Sequence, residues 1–371
     1  MRVLIAAAPF KESANTETIS RLVATTVSRA LPNATVQILN LTDGGTGFAQ
    51  WTIDYCDGSY RYLYADRLDG VTILTRFVTT PPCTAIVETA QILGLALVPP
   101  LVRKPLLSSS AGVGQVMRAV LELGHDRLVL GCGDSGICDA GIGAASALGF
   151  HFLDAAGRAV PLNAHGLMRV SAVRDDGLID EVRRLRISVV GNTHFDWCGA
   201  TGAIKLFGAQ KGLSEAEVVA LEDGYVNLAT VLSRERRDPR NVPGAGASGG
   251  LAGLLASLLN AEIVSYVTYM QAHVDLEAAV AGSDLVITGE GGLDRTTLLG
   301  KLPAYVAETA NRHSVPCIAV VGWRDDANGT DHPFSKIVQL SSSRLHSDLA
   351  YASTFARLDH LLGPALKEYS A

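Results

Sequence analysis

The chain has 371 residues, 48% hydrophobic and 18% charged, enough apolar surface for a sizeable core and too little charge for a disordered chain. Lys and Arg number 31 against 37 Asp and Glu, a net charge of −6, and aromatics make up 6%. A nucleic-acid binder draws on a basic excess and on aromatic platforms, so that class is disfavoured and a soluble α/β enzyme of about two domains is expected.

Apolar runs alternate with helical patterns along the chain, the sign of a parallel α/β sheet. The first strand run, 2–8, ends at Pro9-Phe10-Lys11, which sets a cation at a strand end. That run is too short for the apolar region of a signal peptide, and no stretch approaches the roughly 20 apolar residues of a membrane span. The six cysteines are scattered, with no CxxC pair and no zinc spacing, and read as reduced, mostly buried thiols in a cytoplasmic protein. Ile19, Leu22, Val23, Val27 and Leu31 share one face of a predicted helix. Strand 35–41 then leads into Thr42-Asp43-Gly44-Gly45.

Residues 60–80 carry two strand runs, one of them 71–78, with no helix between, which predicts a hairpin and a mixed sheet. Strands follow at Arg127–Gly131 and Arg186–Gly191, and Ser214 with Glu217 forms a capping box that opens a helix. Strands at 284–289, 316–322 and 336–340 return to the βαβ pattern, and a last helix is expected over 347–362. The expected organisation is an outer domain of residues 1–58 and 284–371 with a domain of residues 59–283 inserted in it.

Glycines, 37 in all, cluster where strands end. Gly131-Cys-Gly133-Asp-Ser-Gly136 has the GxGxxG spacing of a dinucleotide turn. Asp134 and Asp139 would repel a diphosphate unless a cation intervened, so a cation-assisted phosphate or substrate loop is preferred, with a plain tight turn as the alternative. The run 243–250 leads straight into an apolar helix, so its amides and the helix dipole could meet an anion. Gly244, Gly246, Ser248 and Gly249 are the candidate nucleotide contacts, and Gly246→Val should then weaken nucleotide binding without harming the fold. The alternative is that small residues merely allow close packing there.

Glu290 and Asp294, at the carboxyl end of another strand, suit a magnesium ion or its waters, and Lys301 suits phosphate charge. Asp294 as a helix cap and Lys301 as a solvated side chain is the plainer alternative. No Walker motif is present. Lysines, carboxylates and glycine loops without a reactive Cys/His pair fit phosphoryl transfer, which rests on positioning and charge neutralisation.

In this order, the loops resemble the bacterial glycerate kinase family, which phosphorylates D-glycerate at its 2-hydroxyl. The likeness spans nearly the whole chain: Phe10-Lys11-Glu12-Ser13, Thr42–Gly45, Ser108–Gln115, Gly131–Gly141, Phe207–Gly212, 243–250, and Gly289-Glu290-Gly291 with Asp294, Gly300, Lys301 and Pro303. It implies a Rossmann-like parallel-sheet domain with a mixed-sheet α/β domain inserted in it, and ATP and Mg2+ as cosubstrate and cofactor. By residue type and family position, Lys11, Asp43, Asp139 and Lys301 are the expected catalytic groups. Gly44, Gly45, Ser109, Ser110, Asn192, His194 and Lys211 are expected on the substrate, and Glu290 and Asp294 on the metal. The implied partner is a small molecule, with neither nucleic acid nor membrane, and a homodimer is left open.

The departures concern substrate loops. The family's aspartate before Phe-Lys is Ala8-Pro9 here, and its glutamate after Asp-Gly-Gly is Thr46. Its Cys-Asp-Val-Thr-Asn-Pro stretch is Gly191-Asn-Thr-His-Phe-Asp196, and the arginine and glutamine around Asp294 are Gly292 and Thr296. Three lost acids would suit a more anionic acceptor or one with fewer hydroxyls, and His194 with Trp197 would add bulk or a stacking contact. Three readings follow: a glycerate kinase, a kinase retargeted to another hydroxylated substrate, and an inactive ligand-binding homologue.

Overall fold

The computed structural model describes residues 1–10, 16–325, 332–342 and 356–369. The chain forms two compact units, one of residues 1–43 and 267–371, the other of residues 44–266. Strands are numbered along the whole chain.

The first unit holds a five-stranded sheet of β1 (Arg2–Ile5), β2 (Thr35–Ile38), β11 (Leu285–Leu293), β12 (Cys317–Arg324) and β13 (Lys336–Gln339). Their order is β13-β12-β11-β1-β2, and every pairing is parallel. Val3, Leu4, Ile5, Leu285, Val286 and Ile287 are all buried, so the central strands are covered on both faces, as a doubly wound parallel sheet requires. Ile19, Val23 and Val27 of the helix Thr16–Ala30 and Leu358 and Leu362 of the helix Leu358–Lys367 pack on one set of these strand residues. The strand order reverses between β1 and β11, and sheets of this kind take ligands outside the carboxyl ends at such a reversal. Strand β11 runs past the predicted residue 289 because its register with β12 continues through Leu293 and Arg324. Of the helix expected over 347–362, residues 347–355 lie outside the described residues.

The second unit holds β3 (Ser59–Asp66), β4 (Thr72–Thr80), β5 (Thr84–Glu88), β6 (Arg127–Gly131), β9 (Arg186–Gly191) and β10 (Glu262–Ser265) in the order β10-β9-β6-β5-β4-β3. Four of them, β5, β6, β9 and β10, are parallel, while the hairpin β3–β4 predicted from residues 60–80 joins antiparallel and makes the sheet mixed. A separate pair, β7 (His151–Leu153) and β8 (Ala172–Arg174), is antiparallel.

The units divide at 43/44 and 266/267, whereas the sequence reading divides the chain at 58/59 and 283/284. The helix Phe48–Tyr55 packs on β4 and β5, β10 pairs with β9, and the helix Leu276–Ala281 packs on Leu302–Arg312 of the first unit. Among the described residues no helix is long and apolar enough to cross a membrane. All six cysteines are free; Cys132, Cys138 and Cys317 are buried and Cys83 is exposed.

Candidate active site

In the first unit, the carboxyl end of β11 builds a charged cluster at the strand-order reversal. Lys301, at the N-cap of the helix Leu302–Arg312, sets its ammonium 3.5 Å from Asp294 Oδ1 and 3.9 Å from Glu290 Oε2. Glu290 is buried and accepts from the Thr297 hydroxyl at 2.6 Å. Asp294 Oδ1 also accepts from the Thr296 amide at 2.8 Å and from the Thr296 hydroxyl. Burial works against the Asp294 charge, but Lys301 and Thr296 outweigh it and hold the carboxyl below its usual range. Lys301 is therefore paired rather than solvated. Gly292 lies between the two acids, and a Cβ there would stand 2.5 Å from Nε1 of Trp323, its register partner on β12.

No three His, Cys, Asp or Glu side chains come together as a metal cage among the described residues. Two carboxylates bridged by an ammonium fit a divalent cation that arrives with a polyphosphate, which Mg2+ does by keeping most of its waters. Lys11 lies outside the described residues. Asp43 follows β2 and is half-buried.

In the second unit, Asp139 is fully buried. Its Oδ2 accepts from Ser110 N and Ser110 Oγ, each at 2.8 Å, and from Gly143 N at 3.2 Å, while Oδ1 accepts from Gly141 N at 3.0 Å. Shut from solvent and held by four donors, this carboxylate serves as a structural acceptor. Asp139 instead clamps the loop after β6 to the start of the helix Ala111–Glu122, with Ser108 and Ser110 tying the same two segments through Cys138 N and Ala144 N. Ser109 is half-buried beside this clamp, its Oγ 2.4 Å from where a Gly143 Cβ would lie.

Lys211, at the end of the helix Ala203–Lys211, is buried and donates to Ile137 O at 2.6 Å. Burial lowers its pKa, opposed by Cys138 and Asp139, and burial raises that of Asp139, opposed by the four donors. The Lys211 ammonium also lies 3.0 Å from a Cβ position on Gly249, directly under the glycine loop.

That loop enters the helix Leu251–Leu259 through three successive left-handed residues, Ser248 (φ 51°), Gly249 (φ 62°) and Gly250 (φ 93°). The helix amides from Leu251 onward reach back to loop carbonyls, whereas Ser248 N and Gly249 N donate to no acceptor among the described residues. Ser248 Oγ is buried without a nitrogen or oxygen partner and lies beside the Cys132 thiol, whose pKa burial pushes up to about 12. The Tyr225 hydroxyl fixes the Gly249 carbonyl at 2.5 Å. Free amides in a left-handed turn at a helix start make an anion-accepting concavity.

The other glycines of this loop serve packing. A Cβ on Gly246 would lie 2.1 Å from Asp196 O, and one on Gly244 would lie 3.1 Å from Thr193 Cα. The expectation that Gly246→Val spares the fold is thus corrected: the position is filled by the neighbouring backbone. Gly44 and Gly45 are likewise spent on close approach, since Cβ atoms on Gly44 and Gly133 would stand 2.6 Å from Val190 O and 2.5 Å from Gly45 Cα. Thr46 N donates to Asp134 Oδ2 at 3.0 Å and Ala49 N to buried Glu88 at 3.0 Å, so protein carboxylates already hold the amides of this turn. Burial raises the Glu88 pKa against the Ala49 and Gly47 amide donors.

His194 is exposed, and its amide and Nδ1 lie 2.9 and 3.0 Å from the Asn192 side-chain oxygen. Trp197 is no recognition group: it is fully buried and donates to Tyr225 O at 2.8 Å. Glu88, Thr297, Tyr225 and Trp323 escape a sequence reading. Only Glu88, an acid closing a strand run, carries even a weak local signal.

A doubly wound parallel sheet interrupted by a mixed-sheet unit, with a Lys–carboxylate cluster on one and a glycine turn with two free amides on the other, is the frame of an α/β enzyme of the phosphotransferase class. The Glycerate kinase family model matches residues 3–364. A glycerate 2-kinase of Escherichia coli K12 is 30% identical over 90% of this chain and 88% of its own. A glycerate kinase of Haemophilus influenzae Rd is 32% identical over 92% of each chain. A crystal structure from Salmonella typhimurium LT2 assigned as a glycerate kinase 2 superposes with a TM-score of 0.70 at 26% identity, covering 99% of this chain and 98% of that one. The chain belongs to the glycerate kinase family.

Proposed function

We propose that the protein is a cytoplasmic enzyme that transfers the γ-phosphoryl group of ATP to a hydroxyl of glycerate or a related small hydroxylated acceptor. The observation that carries this reading is the turn at Ser248 and Gly249: two unengaged amides and a buried hydroxyl at a helix start, with the Lys211 ammonium beneath. Such a turn offers a polyphosphate fixed donors that need no rearrangement.

Glu290 and Asp294 would hold Mg2+ brought by the nucleotide, and a bound ion there would neutralise phosphate charge. Lys301, held by both acids, stands ready as a fixed positive charge for the transferred group. Asp139 and Lys211 keep the loop after β6 and the glycine turn in register, a positioning role in place of the catalytic and substrate roles read from sequence. Lys11 and Asp43 retain the roles that the resemblance implies.

The test is an ATP-consumption screen over hydroxy acids and sugar acids, with the product identified by phosphorus NMR and ATP affinity measured by calorimetry. Phosphorylated acceptor is the expected outcome. If ATP neither binds nor is consumed with any acceptor, the reading fails in favour of a ligand-binding homologue.

A further inference from the structure

Gly292 shares a face of β11 with Glu290, since alternate strand residues share a face, and Asp294 follows directly on the end of the strand. The β12 residue in register with Gly292 is Trp323. A Cβ on Gly292 would lie 2.5, 2.6 and 2.8 Å from Nε1, Cε2 and Cζ2 of that indole. The ring thus lies across the glycine, in the space a side chain at 292 would fill, between the positions of the two acids that Lys301 bridges. Trp323 is half-buried at the carboxyl end of the sheet, whereas Trp51 and Trp197 are buried.

We infer that this corner of the first unit is the acceptor subsite and takes a sugar-like polyol larger than a three-carbon acid, a sugar or a sugar acid. This rests on the kinase reading above. Glu290 and Asp294 are committed to Mg2+ when the nucleotide is bound, so the acceptor would meet this corner through Lys301 and the indole. Hydroxyl groups suit that pair, since they accept from Lys301 and leave carbon surface for the ring. The indole gives an apolar surface with one N–H, which matches the C–H face of a polyol whose hydroxyls point sideways. A three-carbon acid that reaches the cluster has little carbon surface left to cover the ring.

The experiment is a tryptophan-emission titration of the whole protein with D-gluconate, D-ribose, glycerol and D-glycerate, each with and without Mg·ADP. It is repeated on Trp323→Phe and Trp323→Ala. The half-buried indole should respond to the six- and five-carbon probes at concentrations at least about tenfold below those needed for glycerol or glycerate, and Trp323→Phe should lose the signal. In steady-state assays Trp323→Ala should raise KM for the larger acceptor at least tenfold more than for D-glycerate, with Trp323→Phe in between. If D-glycerate is the tightest probe, or Trp323→Ala shifts all acceptors equally, the inference is overturned while the kinase reading stands. A sugar response without any ATP turnover would overturn the kinase reading and with it the acceptor assignment, leaving a polyol-binding site.

Discussion

The Tyr225 hydroxyl donates to the Gly249 carbonyl at 2.5 Å, tying the long helix Glu215–Leu232 to the turn that opens the helix Leu251–Leu259. Burial raises the Tyr225 pKa well above its usual value, so the phenol stays neutral and remains a donor at any working pH. Tyr225→Phe keeps the ring and strands the carbonyl, a cost of about 1–3 kcal/mol for a buried unsatisfied acceptor. Denaturant unfolding should show that loss, and calorimetry should show weaker ATP binding.

Gly246→Val should act on the fold. Its first side-chain atom would stand 2.1 Å from Asp196 O, and backbone on both sides must move to admit it. We expect a thermal midpoint lowered by several degrees and loss of ATP binding together. A variant with wild-type stability and weakened ATP binding would restore Gly246 as a ligand contact.

Asp139→Asn replaces an enclosed four-donor acceptor with a group that must turn an NH2 toward N–H donors. Hydrogen bonds to a charged partner are worth about 1.5–3 kcal/mol each, so a destabilisation of at least about 3 kcal/mol is expected. If activity is lost with stability unchanged, the clamp role is refuted and the catalytic role returns.

Asp294 gives a pH signature. Its folded pKa lies below the unfolded value of about 3.9, so the folded state binds fewer protons in between. The stabilisation is present above the unfolded pKa and is lost as pH falls through the folded one. Thermal midpoints of wild type and Asp294→Asn, measured from pH 7 down to pH 2, should differ most at neutral pH and converge on acidification. A constant difference would mean that the carboxylate charge does not stabilise the cluster.

Strands legible from sequence are those whose apolar runs are long and bounded by glycine or charge: β6 and β9 fall where the pattern places them. The short strands β5 and β10, of five and four residues, carry too little periodicity to stand out, and both matter for where the second unit begins and ends. The loops of the site were legible as loops. What each glycine does was not, because GxGxxG spacing looks the same whether a glycine supplies a free amide in a left-handed turn, as at Gly249, or only makes way for the chain's own backbone, as at Gly246. Asp139 reads as a free acid until four donors from two segments close around it. The Trp323–Gly292 contact is a pairing across strands 31 residues apart, which no local pattern records.

The parallel pairing of Val3 with Leu285 sets a schedule for synthesis. Strand β1 leaves the ribosome 282 residues ahead of the strand it must lie beside, with the whole of the second unit made in between. At about 5–20 residues per second, that is a wait of roughly 15–60 s. The second unit can fold during that interval. The apolar β1 segment meanwhile has only β2 and the helix between them as shelter, so the nascent chain depends on the speed of elongation, and on chaperones, in a way that the finished enzyme does not.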